Sequence, residues 1–119
     1  MSDRRESGWL SVEQVETRGD PALAAVCAEA LTQQGRVDRL THGFHTYPAG
    51  LHPDTTRLLL EVCPGDSLLD PFCGGGTTLV EGLVAGRRVL GSDLSPIATL
   101  VATGRTRLWP LEQVSRMRG

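Results

Sequence analysis

The apolar positions of this 119-residue chain fall into short blocks whose spacing switches between that of a helix and that of a strand. Leu23, Val26, Cys27, Ala30 and Leu31 recur at helical spacing behind Asp20-Pro21, an N-cap followed by proline, and Gly35 is the expected stop. A shorter helix is predicted before it, opened by the capping-box spacing Ser11-Val12-Glu13-Gln14 and ending near Gly19. Met1 to Gly8 reads as a disordered lead. Val37 to His52 is polar, aromatic and punctuated by Gly and Pro, which predicts an extended loop. Within it Tyr47 precedes a proline and is pushed out of the helical region.

His52-Pro53 starts the next helix, with Leu58, Leu59, Leu60 and Val62 on its buried side. Pro64-Gly65-Asp66 turns the chain into a first strand, Ser67 to Asp70. A helix is then expected from Thr78, where Thr78-Leu79-Val80-Glu81 has the T-x-x-E capping spacing. Leu79, Val80, Leu83 and Val84 face the sheet, and Gly86 ends the helix. Arg88 to Asp93 is the second strand. Ser95-Pro96 opens a helix with Ile97, Leu100 and Val101 as its apolar stripe, and Trp109-Pro110 begins a last short piece. The sum is an α/β chain, βαβα behind an N-terminal helical layer. A helix joining two strands implies parallel pairing and a right-handed crossover.

Between the first strand and its helix stands Asp70-Pro71-Phe72-Cys73-Gly74-Gly75-Gly76-Thr77-Thr78. Glycines let backbone approach a ligand, and a helix start offers unpaired N–H groups, so this is the front of a nucleotide-type site. The chain contains no lysine, which excludes a G-x-x-x-x-G-K-[ST] phosphate loop. Leu79 stands where the third glycine of G-x-G-x-x-G belongs, which argues against a dinucleotide fingerprint. Asp70 would repel a pyrophosphate and suits a ligand with a positive centre and an amino group. S-adenosylmethionine has both. Its ribose needs an acceptor farther along, and Asp93, ending the next apolar run, is placed for that role.

The segment Asp70 to Thr78 resembles motif I, D-P-F-x-G-x-G-T, of nucleic-acid amino-methyltransferases acting on DNA adenine N6, DNA cytosine N4 or tRNA guanosine N2. Asp93-Leu94-Ser95-Pro96 resembles their second cofactor motif. Phe44-His45-Thr46-Tyr47-Pro48-Ala49 resembles the segment that runs up to the cofactor. The resemblance spans roughly Phe44 to Ala102. It implies a partial Rossmann-like methyltransferase fold, with residues 1–40 an N-terminal helical segment and 41–119 an incomplete S-adenosylmethionine-binding domain. It also implies cofactor contacts from His45, Tyr47, Asp70, Pro71, Phe72, Gly74, Gly76, Thr77, Thr78, Asp93 and Leu94, with Pro48 beside Tyr47. Asp70, Gly74, Gly76 and Thr77 would hold the methionine end and Asp93 the ribose.

Composition narrows this only a little. The formal charge is −2 and all twelve basic residues are arginines, and those that lie close together, Arg4/Arg5, Arg87/Arg88, Arg105/Arg107 and Arg116/Arg118, are pairs and not a patch, so nucleic-acid binding cannot be read from charge. No apolar run approaches the ~20 residues of a membrane span, and no secretory signal is visible. Three cysteines without framework spacing suggest reduced thiols and a cytoplasmic protein. His42, His45, His52, Cys63 and Cys73 lack the spacing of a closed metal site, so no metal is expected.

The catalytic element of the resembled enzymes, (D/N)-P-P-(Y/F/W), occurs nowhere in the chain, and no catalytic residue is assigned. Three readings stay open. The chain is the cofactor-binding part of a nucleic-acid amino-methyltransferase, DNA favoured over RNA, truncated or completed by a second chain or a missing C-terminal segment. It is a non-catalytic remnant or regulatory subunit that keeps the fold. Or it is a fragment of a nucleotide-cofactor protein such as an oxidoreductase, against which Asp70 and the missing glycine count.

Overall fold

Proline opens three of the helices, each behind a side chain that accepts one of the exposed N–H groups. The computed structural model describes residues 10–44 and 50–117. Helix α1, Pro21–Leu31, is capped by Asp20, whose Oδ1 accepts from the Leu23 N–H at 2.8 Å. Helix α2, Pro53–Val62, is capped by His52, whose Nδ1 accepts from the Asp54 N–H at 3.2 Å. Strand β1 is Ser67–Asp70, helix α3 Thr77–Val84 and strand β2 Arg88–Gly91. Helix α4, Pro96–Thr106, is capped by the Ser95 hydroxyl, and helix α5, Leu111–Met117, follows Pro110.

The two strands pair in parallel in the register Ser67↔Arg88 to Asp70↔Gly91, as the intervening helix requires. This is a mixed helix–strand chain with one small parallel sheet. Leu68 and Val89, partners in that register, face α3 and pack against the cluster of Cys73, Leu79 and Ala102. Burying a leucine such as Leu79 contributes about 1.5–3 kcal/mol, and the smaller or half-buried members contribute less. Helix α3 can lie this close to the sheet because of two glycines. A Cβ on Gly82 would meet Val89 Cγ1 at 2.7 Å, and one on Gly91 would meet Leu79 Cδ1 at 2.5 Å. Helix α1 packs on α2, α2 on α3, and α3 on α4.

Several expectations change. The helix over 11–19 is a single 3₁₀ turn, Val12–Gln14, with the Gln14 side chain accepting from the Ser11 N–H at 2.8 Å. Leu23 and Leu31 of α1 are exposed; Ala28 and Ala30 are buried, and the Ala30 carbonyl accepts from the Thr55 hydroxyl of α2. On α2 the buried side is Thr55, Thr56 and Leu58, and Val62 is exposed. Helix α3 begins one residue earlier than expected, with Gly76 as its N-cap at φ 82°, and the Thr78/Glu81 capping pair does not form. Glu81 is turned inward instead, and Val84, at the end of the helix, is exposed. Strand β2 ends at Gly91, two residues before Asp93. The α4 stripe is displaced: Ile97 and Leu100 are exposed, while Ala98, Val101, Ala102 and Arg105 are buried. A Cβ on Gly76 would meet Ala102 Cβ at 2.9 Å, so the α4 face toward this loop must be small. No described helix is long and apolar enough to cross a membrane. The lead Met1–Gly8 and residues His45, Tyr47 and Pro48 lie outside the described residues.

Candidate cofactor site at the strand tips

Parallel pairing brings the ends of β1 and β2 side by side, and the loops leaving them are tied together. Asp70 ends β1 and its carbonyl accepts from the Ser92 N–H at 2.9 Å. Its Oδ1 accepts from the Phe72 N–H at 3.1 Å, which folds the start of the glycine loop back on the strand. The Cys73 N–H donates to the Ser92 carbonyl at 2.9 Å. Asp93 then bridges the two loops: Oδ2 accepts from Gly74 N–H and Oδ1 from Ser95 N–H, both at 2.9 Å. Those N–H groups, Ser95 first and Gly74 next, hold the Asp93 carboxyl below the usual carboxylate range. Each oxygen still has lone-pair capacity beyond these bonds.

The loop turns at Cys73–Gly76, where the Gly76 N–H donates to the Cys73 carbonyl at 2.8 Å. The N–H groups of Gly75, Thr77 and Thr78 meet no acceptor among the described residues, so the start of α3 presents three open donors. Cys73 points the other way, into the core. Burial, followed by the nearby negative charges of Asp70 and Asp93, pushes its thiol pKa up, which favours the protonated form.

A cavity of about 830 Å³ opens over these strand tips. Asp70, Phe72, Gly74, Thr77, Thr78 and Asp93 all line it. Pro71, Gly76 and Leu94 are not brought to its wall: Pro71 is exposed, Gly76 packs on Ala102, and Leu94 is 99% exposed. Residues unassigned in the sequence also reach the cavity, among them His42, Gly75 and Arg105. Arg105 is buried in the last turn of α4, where burial pulls its guanidinium pKa down, and it donates to the Gly75 carbonyl at 2.8 Å and the His42 carbonyl at 2.6 Å. Only its place near the end of a helix was visible in the sequence, and that signal suggests a surface charge. Gln33, Gly35, Leu51 and His52 also line it. Among the described residues no group of three or more His, Cys, Asp or Glu is placed to hold a metal ion.

Residues 44–101 match the family described as UPF0020, RMKL-like methyltransferase domain. The type II methyltransferase M.MvaI of Kocuria varians is 38% identical over 72 residues, covering 56% of this chain and 16% of that protein. The type II methyltransferase M.MjaII of Methanocaldococcus jannaschii is 31% identical over 78 residues, 64% of this chain and 15% of that protein. A tRNA (guanine(10)-N2)-dimethyltransferase of Methanothermobacter thermautotrophicus is 41% identical over 51 residues, 40% of this chain and 15% of that protein. The chain thus spans under a fifth of the length of each of these relatives. No solved structure matches it.

Proposed function

We propose, from the premise that this chain carries a segment of an RMKL-like methyltransferase domain related to nucleic-acid amino-methyltransferases, that it forms an S-adenosylmethionine-binding corner. The observation that carries the reading is the meeting of Asp70 and Asp93 on one cavity wall, at the tips of adjacent parallel strands, beside open N–H groups. That arrangement pairs opposite demands. Asp70 attracts the cofactor's ammonium group, and the Gly75, Thr77 and Thr78 amides at the positive end of α3 receive its carboxylate. Asp93, held by two backbone donors, keeps lone pairs for the ribose hydroxyls. Gly74 lets the backbone come close, and Phe72 is the exposed apolar group of the wall that a bound adenosyl moiety would cover; Gly76 and Leu94 belong to the site by resemblance alone. His45 and Tyr47 complete the list carried over by resemblance.

When bound, the cofactor supplies an activated methyl group on its sulfonium. The chain's own contribution is to orient that group, and positioning is the main lever in such a transfer. The acceptor is an exocyclic amine of a nucleic-acid base, with DNA favoured because the type II methyltransferases align over larger shares of the chain. The (D/N)-P-P-(Y/F/W) element does not occur in the sequence, so the base-holding half comes from a second chain or a further C-terminal segment that extends the sheet into a Rossmann-like one. The methyltransferase part begins near residue 41, behind the N-terminal helical segment. Free cysteines Cys27, Cys63 and Cys73 accord with a reducing, cytoplasmic location.

Calorimetric titration of the purified chain tests the reading. S-adenosylmethionine and S-adenosylhomocysteine are expected to bind and NAD is not; binding of NAD in preference would contradict it. Labelled cofactor with DNA or tRNA is expected to give no transfer by this chain alone, and turnover without a partner would refute the two-part account.

A further inference from the structure

The segment that approaches the cavity from the N-terminal side is attached to the glycine loop by buried polar groups. Helix α4 supplies one attachment. The Arg105 guanidinium spans the Gly75 carbonyl at 2.8 Å and the His42 carbonyl at 2.6 Å, and the Thr41 hydroxyl donates back to the Arg105 carbonyl at 3.2 Å. Helix α3 supplies the other. His42 Nε2 donates to Glu81 Oε1 at 2.7 Å, and Arg39 also pairs with Glu81 while its second nitrogen reaches Asp54 Oδ1 at 2.9 Å. The His42 and Glu81 side chains are each only 2% exposed.

We propose that Arg105 and Glu81 are positioning residues: together they latch residues 39–44 onto the glycine loop, so that His42 and Gly43 at the cavity wall move with that loop as one unit. The fork of a guanidinium suits this task. Two carbonyls on different segments are held by nitrogens in one rigid plane, a geometry that a lysine ammonium does not reproduce. The Gly75–Gly76 peptide is thereby pinned at both ends, its carbonyl by Arg105 and its N–H by the Cys73 carbonyl. Its neighbours Gly75 N–H and Thr77 N–H are aimed by the same constraint. Loss of the fork frees the peptide to rotate and lets residues 39–44 leave the wall.

The ligand arm of this inference rests on the cofactor reading above; the latch itself does not, and the test separates them. Hydrogen–deuterium exchange is measured on wild type, R105M, R105K and T41V, with R107M as a control outside the site, each with and without S-adenosylhomocysteine. In the unliganded state R105M is expected to exchange at least tenfold faster at residues 39–44 and 74–77, with β1 and β2 unchanged, and R105K is expected to fall between. In wild type the ligand is expected to slow exchange at 39–44, and R105M to lose that transmission while binding about tenfold more weakly. Should R105M fail to fold, R105K and T41V read the same local effect. Equal protection of residues 39–44 in wild type, R105K and T41V would overturn the latch whether or not any ligand binds. Loss of ligand binding in wild type, with the local effect intact, would overturn the cofactor reading alone.

Discussion

At the scale of single residues, Asp93 has two tasks that usually fall to different groups. It joins the loops after β1 and β2 through backbone N–H groups, and it faces the cavity. Asp93→Ala is therefore expected to weaken S-adenosylhomocysteine binding about tenfold or more, read by calorimetry, because it both removes an acceptor and loosens Gly74. Equal affinity would remove Asp93 from the site. Asp54 gives a pH signature. Hydrogen bonding from Arg39, its largest influence, holds the Asp54 carboxyl below the usual range, with Arg57 adding to it. An acid depressed in the folded state stabilises fully above its unfolded value, about 3.9, and loses that contribution as pH falls through the folded value. Urea midpoints are expected to favour wild type over Asp54→Asn at pH 7 by no more than about 1 kcal/mol, and the gap to close below about pH 4. A gap that widened in acid would contradict the pairing.

Among the elements, strand and helix order were legible because the signals are local. Ser67–Asp70 is bounded by a turn and a glycine loop, and prolines mark the helix starts at Pro21, Pro53 and Pro96. The parallel register follows from the helix in between, and it carries Asp70 and Asp93 to one place. What local pattern could not show was which face each helix buries. Glu81 fits a capping box by spacing, yet its partners His42 and Arg39 are some forty residues back along the chain. Ile97 and Leu100 look like a core stripe, yet both are exposed while Ala98 is buried and Ala102 packs on Gly76 of the glycine loop. Arg105 reads as a surface charge until the carbonyls of Gly75 and His42 are seen around it. The close approach of α3 to the sheet has its own test. Gly82→Ala and Gly91→Ala each force a methyl group into Val89 or Leu79, and each is expected to cost about 1–3 kcal/mol by urea unfolding. Unchanged stability would mean that α3 sits farther from the strands.

For the molecule as a whole, the governing feature is a sheet that the described residues cover on one side only. Leu68 and Val89 face α3, whereas Leu69 and Leu90, adjacent in the parallel register, are exposed. Parallel strands are normally buried on both faces and flanked at both edges, and open apolar edges invite pairing with other chains. The proposed completing segment would satisfy both needs. Leu69→Thr with Leu90→Thr is accordingly expected to change the stability of the isolated chain by less than about 0.5 kcal/mol while reducing its concentration-dependent association in ultracentrifugation. A large loss of stability would show that this face is already packed.

The site can be watched directly at the groups that define it. In an NMR titration with S-adenosylhomocysteine, the amide signals of Gly75, Thr77 and Thr78 are expected to shift saturably and together, along with those beside Asp70 and Asp93. An adenosyl ligand that leaves these amides in place, or shifts only residues remote from the β1 and β2 tips, would contradict the central claim.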